Sequence, residues 1–326
     1  MYGYDIFHDK LMEGLISSVR GSNPPHAYIF EGEPGLNKLE AARLYAAALA
    51  CTSDNQPCGI CNSCVSAKSY NNPDVVIVKP DGDRKTIGAE RIRELITDAY
   101  TKPFLARKKV YIFPDAQIMT EQAQNAFLKL LEEPPEYAVF IIVASNSELL
   151  LQTVRSRCVV VRFSPVDDKK VGEYVDKISP GNVKRDFIVK YCRGIPKNAD
   201  SIINDESFDE LRKGVLEKLK LLFSDRDIDA YYLCDYFEEN KDNSALILAL
   251  LREYIRDIIM LQADGATLIT NNDCMEELSE YSTLLDEAYV INAAEIVIKA
   301  EEMQRRYVSL HSLVLWMALK VKENGK

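Results

Sequence analysis

Short apolar runs alternate with amphipathic segments through the first half of the chain. In the amphipathic segments apolar residues recur at helical spacing, whereas the runs are continuous and rich in β-branched and aromatic residues. Such runs predict strands covered on both faces of a sheet. The predicted strands are 26–31, 73–80, 109–116, 138–144 and 159–163, and the predicted helices are 5–20, 39–50, 88–100 and 120–132. Alternating helices and strands indicate an open, mainly parallel α/β sheet.

The pattern changes after residue 164, where the strand-like runs cease. Three short helices are predicted at 168–178, 184–192 and 197–203. Longer amphipathic segments follow at 246–261 and 288–303, and an apolar helix is predicted at 310–321. No apolar run approaches the ~20 residues of a membrane span. We therefore expect three domains: an α/β domain over 1–165, a small helical domain over 166–205, and an all-helical domain over 206–326.

A Gly/Pro turn joins the first strand to the helix that follows it. Its sequence, Gly32-Glu33-Pro34-Gly35-Leu36-Asn37-Lys38-Leu39, stands where a phosphate-binding loop would stand. In the pattern G-x-x-x-x-G-K-[ST], Gly32 and Lys38 match, but Asn37 replaces the second Gly and Leu39 replaces the Ser or Thr. Leu39 has no hydroxyl to hold Mg²⁺. We predict a nucleotide-site fold without hydrolysis, without Mg²⁺ and with doubtful binding of ATP or ADP; the alternative is an ordinary turn with a chance Lys.

An acidic residue ends the third predicted strand. Asp115 lies where a parallel strand beside a phosphate loop would hold Mg²⁺. The next residue is Ala116, at the position where active ATPases of this kind carry a Glu that activates water. This is a third change that indicates lost hydrolysis.

Four of the eight cysteines lie within fourteen residues, in the order Cys51, Cys58, Cys61 and Cys64. Four thiolates form a closed tetrahedral shell for Zn²⁺, which leaves no position for a catalytic water. We predict a structural zinc module over 51–64. A redox pair of two of these cysteines is the alternative. A docking function of the module for nucleic acid or protein also stays open, although its loop 52–57 carries no basic residue.

The net charge of −10 argues against a protein that binds nucleic acid over its whole surface. A local basic strip is possible around Lys102, Arg107, Lys108 and Lys109. The first residues lack a basic region followed by an apolar core, so a secretory signal is not indicated and a cytoplasmic protein is expected.

Several segments together resemble one known family. They are 26–32, the four-cysteine insert, the stretch 125–135 (NAFLKLLEEPP) and Ser156-Arg157-Cys158. The chain resembles the clamp-loader subunits of bacterial DNA polymerase III, a family of the AAA+ class, strongly over residues 5 to 200. The resemblance implies an AAA+ P-loop sheet of five parallel strands, a helical lid domain and a helical collar domain. The changed phosphate loop and Ala116 resemble the delta-prime type.

The resemblance also implies roles for particular residues and partners. Arg157 would enter the ATP site of a neighbouring subunit as an arginine finger; the plainer alternative is that it pairs with a surface carboxylate. Ser145 occupies a polar sensor position, and Lys197 stands where active members carry a sensor Arg. The partners would be gamma/tau and delta subunits in a ring of five, with the sliding clamp and primed DNA reached through the complex. The alternative function is an ATP-hydrolysing motor subunit of the gamma/tau type.

Overall fold

The computed structural model describes residues 7–21, 24–80, 82, 86–182, 184–204, 207–265, 268–304 and 309–323. The strands are β1 (Ala27–Glu31), β2 (Val75–Ile77), β3 (Lys109–Phe113), β4 (Ala138–Ala144) and β5 (Val159–Arg162). The helices are α1 (Asp9–Gly21), α2 (Lys38–Ala50), α3 (Asn62–Lys68), α4 (Ala89–Ala99), α5 (Glu121–Glu132), α6 (Gln152–Arg155), α7 (Asp168–Ile178), α8 (Arg185–Cys192), α9 (Asn198–Ile203), α10 (Phe208–Leu222), α11 (Ile228–Glu239), α12 (Ser244–Gln262), α13 (Met275–Leu284), α14 (Glu287–Gln304) and α15 (Leu310–Glu323). The start of the helix predicted over 5–20 lies outside the described residues.

The five strands form one parallel sheet in the order β2-β3-β4-β1-β5. The predicted five-stranded parallel α/β sheet is therefore confirmed. Strand β4 lies at the centre, and all seven of its residues are buried, as its continuous apolar run predicts. The carboxyl ends of β1, β3 and β4 meet at one edge of the sheet.

The two outer strands are less buried than their sequences suggest. All three residues of β2 are half-buried, so the strand predicted over 73–80 is present but shorter and less buried than its sequence indicates. In β5, Val159 and Val160 are exposed. Both strands lie at the ends of the strand order, where no further strand of the described residues pairs with the outer side, and apolar composition alone does not reveal this.

Helices cover both faces of the sheet, and each face has its own aromatic core. On one side, Tyr28 and Phe30 of β1 pack with Tyr45 of α2. On the other side, Phe127 of α5 packs against Phe140 of β4. Complete burial of a ring of this size stabilises the fold by roughly 2–3 kcal/mol. The sheet is thus a rigid base for the loops at its carboxyl edge.

The chain divides into two compact units. The first contains residues up to Pro180 together with Cys192–Ala199, and the second contains Gly181–Tyr191 and the residues from Asp200 onward. The second unit is helical, as predicted, and buries an Arg212 guanidinium that donates to Asp273 Oδ1 at 2.6 Å. The predicted boundary at 205/206 lies outside the described residues, and the three-domain division stays a prediction. No helix in the described ranges is long and apolar enough to cross a lipid bilayer.

Candidate functional site

The turn after β1 takes the form of a phosphate loop. Gly32 has a φ of 152°, and a Cβ at this position would lie 2.2 Å from the carbonyl oxygen of Phe163, so only Gly fits there. Asn37 has a φ of 53° and takes the left-handed conformation that the missing Gly would have supplied. The changed loop therefore keeps its backbone shape.

Beside this loop, at the carboxyl edge of the sheet, lies a cavity of about 340 Å³. This volume is at the small end of the range for ligand sites. Four predicted site residues, Gly35, Lys38, Asp115 and Ser145, lie together in its wall; the full lining is Pro34, Gly35, Asn37, Lys38, Leu39, Pro114, Asp115, Gln117, Val143, Ala144 and Ser145. Gly32 lies at the start of the loop and is not part of the wall. The structure thus brings the predicted loop, acid and sensor positions to one place.

The ammonium group of Lys38 is bound by its own loop. Its Nζ donates to the carbonyl oxygen of Gly32 at 2.5 Å and to that of Glu33 at 2.7 Å. The residue is only 7% exposed, and desolvation lowers the pKa of Lys38. A phosphate could bind here only if these two carbonyl contacts were exchanged for phosphate oxygens.

Two of the three changed positions are apolar parts of the structure. Leu39 presents a hydrocarbon side chain to the cavity, where a magnesium-binding hydroxyl would otherwise stand. Ala116 is fully buried in the core cluster of α4 and α5, and it begins a short 3₁₀ turn. The position of the missing glutamate has therefore become part of the core.

Gln117 is a wall residue that the sequence analysis missed. Its Oε1 accepts hydrogen bonds from the backbone N–H of Ser145 at 2.8 Å and from the Ser145 hydroxyl at 2.6 Å. The end of β3 is thereby joined to the end of β4, and the sensor hydroxyl is occupied. A Gln two residues after the strand-ending acid is a weak signal, because its partner is distant in sequence.

Lys197 approaches the loop from the segment behind α8. A Cβ added at Gly35 would meet Ile195 Cγ2 at 2.5 Å and the Cβ of Lys197 at 3.4 Å. The Nζ of Lys197 bonds to the Tyr174 hydroxyl at 2.5 Å. Lys197 therefore lies next to the loop, but its charged end is directed to Tyr174 and is not part of the cavity wall.

Arg157 and the cavity lie at opposite ends of the parallel strands, Arg157 at the amino-terminal edge of the sheet and the cavity at the carboxyl edge. It precedes β5, which runs parallel to β1 with Tyr28 opposite Val159 and Glu31 opposite Arg162. The cavity lies beyond the carboxyl end of β1, so about 13 Å of strand separates the two edges. The guanidinium is bonded to Glu132 Oε1 at 2.6 Å, which is the surface pairing that the sequence analysis left open.

The four clustered cysteines converge on one point between α2 and α3. Their Sγ atoms all lie within 4.8 Å of one another, and the Cys51 and Cys61 sulfurs are 3.9 Å apart. A tetrahedral shell with Zn–S bonds of about 2.3 Å has sulfurs about 3.8 Å apart. Gly59 has a φ of 74° and makes the turn of the Cys58–Cys61 knuckle. The four residues could hold a metal ion such as zinc.

The thiols differ in their readiness to ionise. Burial works to raise the pKa of Cys61, but hydrogen bonds from the backbone N–H groups of Thr52 and Cys64 outweigh it and lower that pKa to about 6. Burial raises the pKa of Cys51 and of Cys64. Binding of a metal ion would therefore release protons from the buried pair. Four converging thiols fit a metal shell better than a redox pair, which needs two.

The proposed basic strip does not form a continuous surface. Lys109 is buried and donates to Asp98 Oδ1 at 2.8 Å. Arg107 donates to Asp54 and to the carbonyl oxygen of Thr52. The expectation of a strip that includes Lys109 is wrong, because the Lys109 side chain is only 6% exposed and is paired with the half-exposed carboxylate of Asp98.

A parallel sheet in the order β2-β3-β4-β1-β5, with a phosphate-type loop after β1 and a helical region later in the chain, is an AAA+-like fold. The family model described as DNA polymerase III, delta subunit matches residues 7–167. This match supports a clamp-loader subunit of DNA polymerase III, as do the relatives that the chain resembles.

Individual relatives cover different shares of the chain. The DNA polymerase III subunit delta' of Bacillus subtilis (strain 168) is 26% identical over 320 residues, which cover 96% of each chain. The gamma/tau subunit of Mycoplasma genitalium is 33% identical over 186 residues, which cover 56% of this chain and 31% of that subunit. A solved gamma subunit-related protein of Thermotoga maritima is 18% identical, covers 97% of this chain and 100% of its own, and superposes with a TM-score of 0.47.

Proposed function

We propose that the chain is a delta-prime-type subunit of the clamp loader, which hydrolyses no ATP itself and supplies Arg157 to the ATP site of a neighbouring subunit. The observation that carries this proposal is the position of Arg157 at the edge of the sheet opposite the chain's own cavity. From that edge Arg157 cannot serve the chain's own site, but it can serve a site on another molecule. An Arg suits this role because it is always charged and its planar fork fits phosphate oxygens.

The composition of the cavity supports the absence of hydrolysis. Leu39 offers no oxygen to Mg²⁺, and Ala116 offers no carboxylate to water. Lys38 is bonded to its own loop. A site of this kind keeps the shape of a nucleotide pocket and lacks the groups that would cleave a bound triphosphate.

The proposed partners follow from this role. The neighbour that receives Arg157 would be an ATPase subunit of the gamma/tau type, and a delta subunit would complete a ring of five through the helical C-terminal region. The ring would open the sliding clamp and place it on primed DNA. Zinc at the four cysteines would be structural, since thiolates fill its shell.

The test is Arg157→Ala in an assembly reconstituted with a gamma/tau-type and a delta subunit. We expect ATP turnover at the neighbouring site that receives Arg157 to fall by about 10³-fold, the order that a missing arginine finger costs, while the mass of the assembly is unchanged. Arg155→Ala is the matched control, because Arg155 lies two residues away at the end of α6 and its side chain makes no hydrogen bond or ion pair among the described residues. Unchanged turnover in Arg157→Ala would refute the finger role.

A second candidate is an ATP-hydrolysing motor subunit. The observation in its favour is that Lys38 and Asp115 still line one cavity. The distinguishing measurement is ATP turnover by the isolated chain and by an assembly in which it is the sole subunit with an intact lysine, with Lys38→Ala as control. Turnover at ordinary enzyme rates that depends on Lys38 would favour the motor.

The metal module could also dock a nucleic acid. Its loop 52–57 lacks basic residues, and Arg20 of α1 holds the loop by two bonds to the Gln56 carbonyl oxygen. These features favour a structural role. A single-strand gel shift that is lost in Cys61→Ser, in a chain that is still folded, would instead establish DNA docking.

A further inference from the structure

The guanidinium of Arg157 is held by three acceptors on its own chain. Glu132 Oε1 accepts from Nη2 at 2.6 Å, and the carbonyl oxygen of Thr153 and the hydroxyl of Ser156 accept from Nη1 at 2.7 and 3.3 Å. Thr153 and Ser156 belong to the turn that carries Arg157, whereas Glu132 comes from a different helix. We propose that Glu132 is the positioning residue that aims Arg157 at a neighbouring active site; this inference rests on the proposed function.

Glu132 is held in place by a helix that packs in the core. It is the last residue of α5, and the helix buries Phe127, Leu130 and Leu131 in the core on one side of the sheet. α5 follows the cavity-lining end of β3 and runs back across the sheet for about 18 Å, which brings Glu132 to the edge where Arg157 lies. A rotamer held from a packed helix is better defined than one held only by its own loop.

The contact leaves the arginine able to act. A guanidinium has five N–H donors, and contacts within the described chain engage three of them. The Nε–H is not among the engaged donors. Glu132 thus restricts the orientation of the Arg157 side chain and leaves N–H donors for phosphate oxygens. The side chain therefore loses less conformational entropy when it binds a phosphate.

The Arg157–Glu132 ion pair is exposed enough to solvent to rearrange when subunits assemble. The side chains of Arg157 and Glu132 are 34% and 50% exposed. Exposed ion pairs of this kind contribute little to stability, because water screens them. Removal of the Glu132 carboxylate should therefore leave the fold intact and change the placement of the arginine.

The experiment measures kcat and KM for ATP in the reconstituted assembly with Glu132→Ala, Glu132→Gln and Glu133→Ala. We expect Glu132→Ala to lower kcat by about tenfold with an unchanged KM and an unchanged assembly mass, since a misplaced catalytic group costs of this order or more. Glu132→Gln keeps an oxygen that can accept from Nη2, so its kcat should lie within about twofold of the parent. Glu133→Ala removes the adjacent exposed carboxylate, which makes no hydrogen bond or ion pair among the described residues, and should have no effect.

A double-mutant cycle separates positioning from a general structural effect. In the Arg157→Ala background, the further change Glu132→Ala should not lower kcat. The inference is overturned if Glu132→Ala leaves kcat unchanged or raises it, or if its effect persists without Arg157. If Arg157→Ala itself leaves turnover unchanged, the proposed function fails as well; if Arg157→Ala slows turnover and Glu132→Ala does not, only the positioning role fails.

Discussion

The buried carboxylate of Asp74 accepts a hydrogen bond of 2.8 Å from the backbone N–H of Phe104, whose own side chain is largely exposed. The same carboxylate accepts the N–H groups of Leu105 and Ala106 at 2.6 and 2.9 Å. Three charge-assisted bonds from consecutive residues fix the backbone of this loop. The loop between α4 and β3 is therefore rigid although it carries an exposed aromatic ring.

This loop is also tied to both halves of the cysteine cluster. On one side, Asn72 donates to Ser63 in α3, the helix that holds Cys64, and its amide oxygen accepts from the N–H of Asp74. On the other side, Arg107 donates its side-chain N–H to the carbonyl oxygen of Thr52, which follows Cys51. A loss of structure around the four cysteines should consequently also loosen the loop between α4 and β3.

Removal of metal from the cysteine cluster should loosen residues 101–108. Without an ion, four converging thiols lose their common ligand, and the segments around Cys51 and Cys64 lose the anchor that supports the loop. Hydrogen exchange measured by mass spectrometry after chelation should rise in 101–108 and should not change in α10. Zinc added back should restore protection. Equal protection of 101–108 with and without metal would contradict the link.

Asp74→Asn should destabilise the first unit by about 2 kcal/mol. The substituted amide keeps one acceptor oxygen but turns an NH₂ group toward backbone N–H donors in a buried site. Urea unfolding measures the change. Asp54→Asn is the control, because the Asp54 side chain is fully solvent-exposed and its loss should not move the unfolding midpoint. Equal midpoints for the two variants would show that the Asp74 bonds contribute nothing.

Gly35→Ala should destabilise the chain by roughly 1–3 kcal/mol. Gly35 has a φ of 89°, and its new Cβ would stand 2.5 Å from Ile195 Cγ2, so backbone strain and a clash add together. Gly14→Ala is an informative counterpart, since Gly14 lies within α1 with nothing near its Cβ position. That variant should gain about 0.5–1 kcal/mol. Thermal unfolding of both should give shifts of opposite sign.

Ala116→Glu should lower stability and should not create an ATPase. The Ala116 side chain is fully buried, and a carboxylate placed there without a partner would cost roughly 3 kcal/mol or more. Gln117→Glu places the same charge one residue further on, in the cavity wall, and should be milder. Unfolding midpoints and ATP turnover are the two readouts. A stable Ala116→Glu variant that hydrolyses ATP would show that the core can admit the missing base.

Lys38→Met should destabilise the chain by about 1–2 kcal/mol even without nucleotide. The change keeps the hydrocarbon stem but removes a charged donor from the carbonyl oxygens of Gly32 and Glu33. Lys10→Met removes an exposed lysine and serves as control. If urea unfolding of the Lys38 variant matches the parent, the lysine has no structural role in the loop.

The elements of the fold could be predicted from local sequence, because each signal lies within a few residues. The apolar run of β4, the turn at Gly32 and the close spacing of the four cysteines all gave the right structure. The strand order was not available from periodicity, so the half-exposed edges β2 and β5 were missed. Edge position is set by the path of the chain between strands.

Buried polar residues were harder to predict, since their partners are distant along the chain. Lys109 was expected at the surface, yet it is paired with Asp98 of α4. Gln117 gained its role only when β3 and β4 brought it to Ser145. The roles of Arg157, Lys197 and the cavity residues remain predictions, because the positions of these side chains do not by themselves identify what they bind.

All five strands run in the same direction, so the two ends of the sheet differ. The altered cavity lies at the carboxyl ends of the strands, here called the front, and Arg157 lies at their amino ends, the back. A contact in which the back of one molecule meets the front of the next is heterologous and has a direction. In such a series every subunit would supply an arginine to the neighbour on one side and receive an arginine from the neighbour on the other side. If the proposed function holds, a subunit whose own site cannot use an arginine would lie at one end of the row of ATP sites.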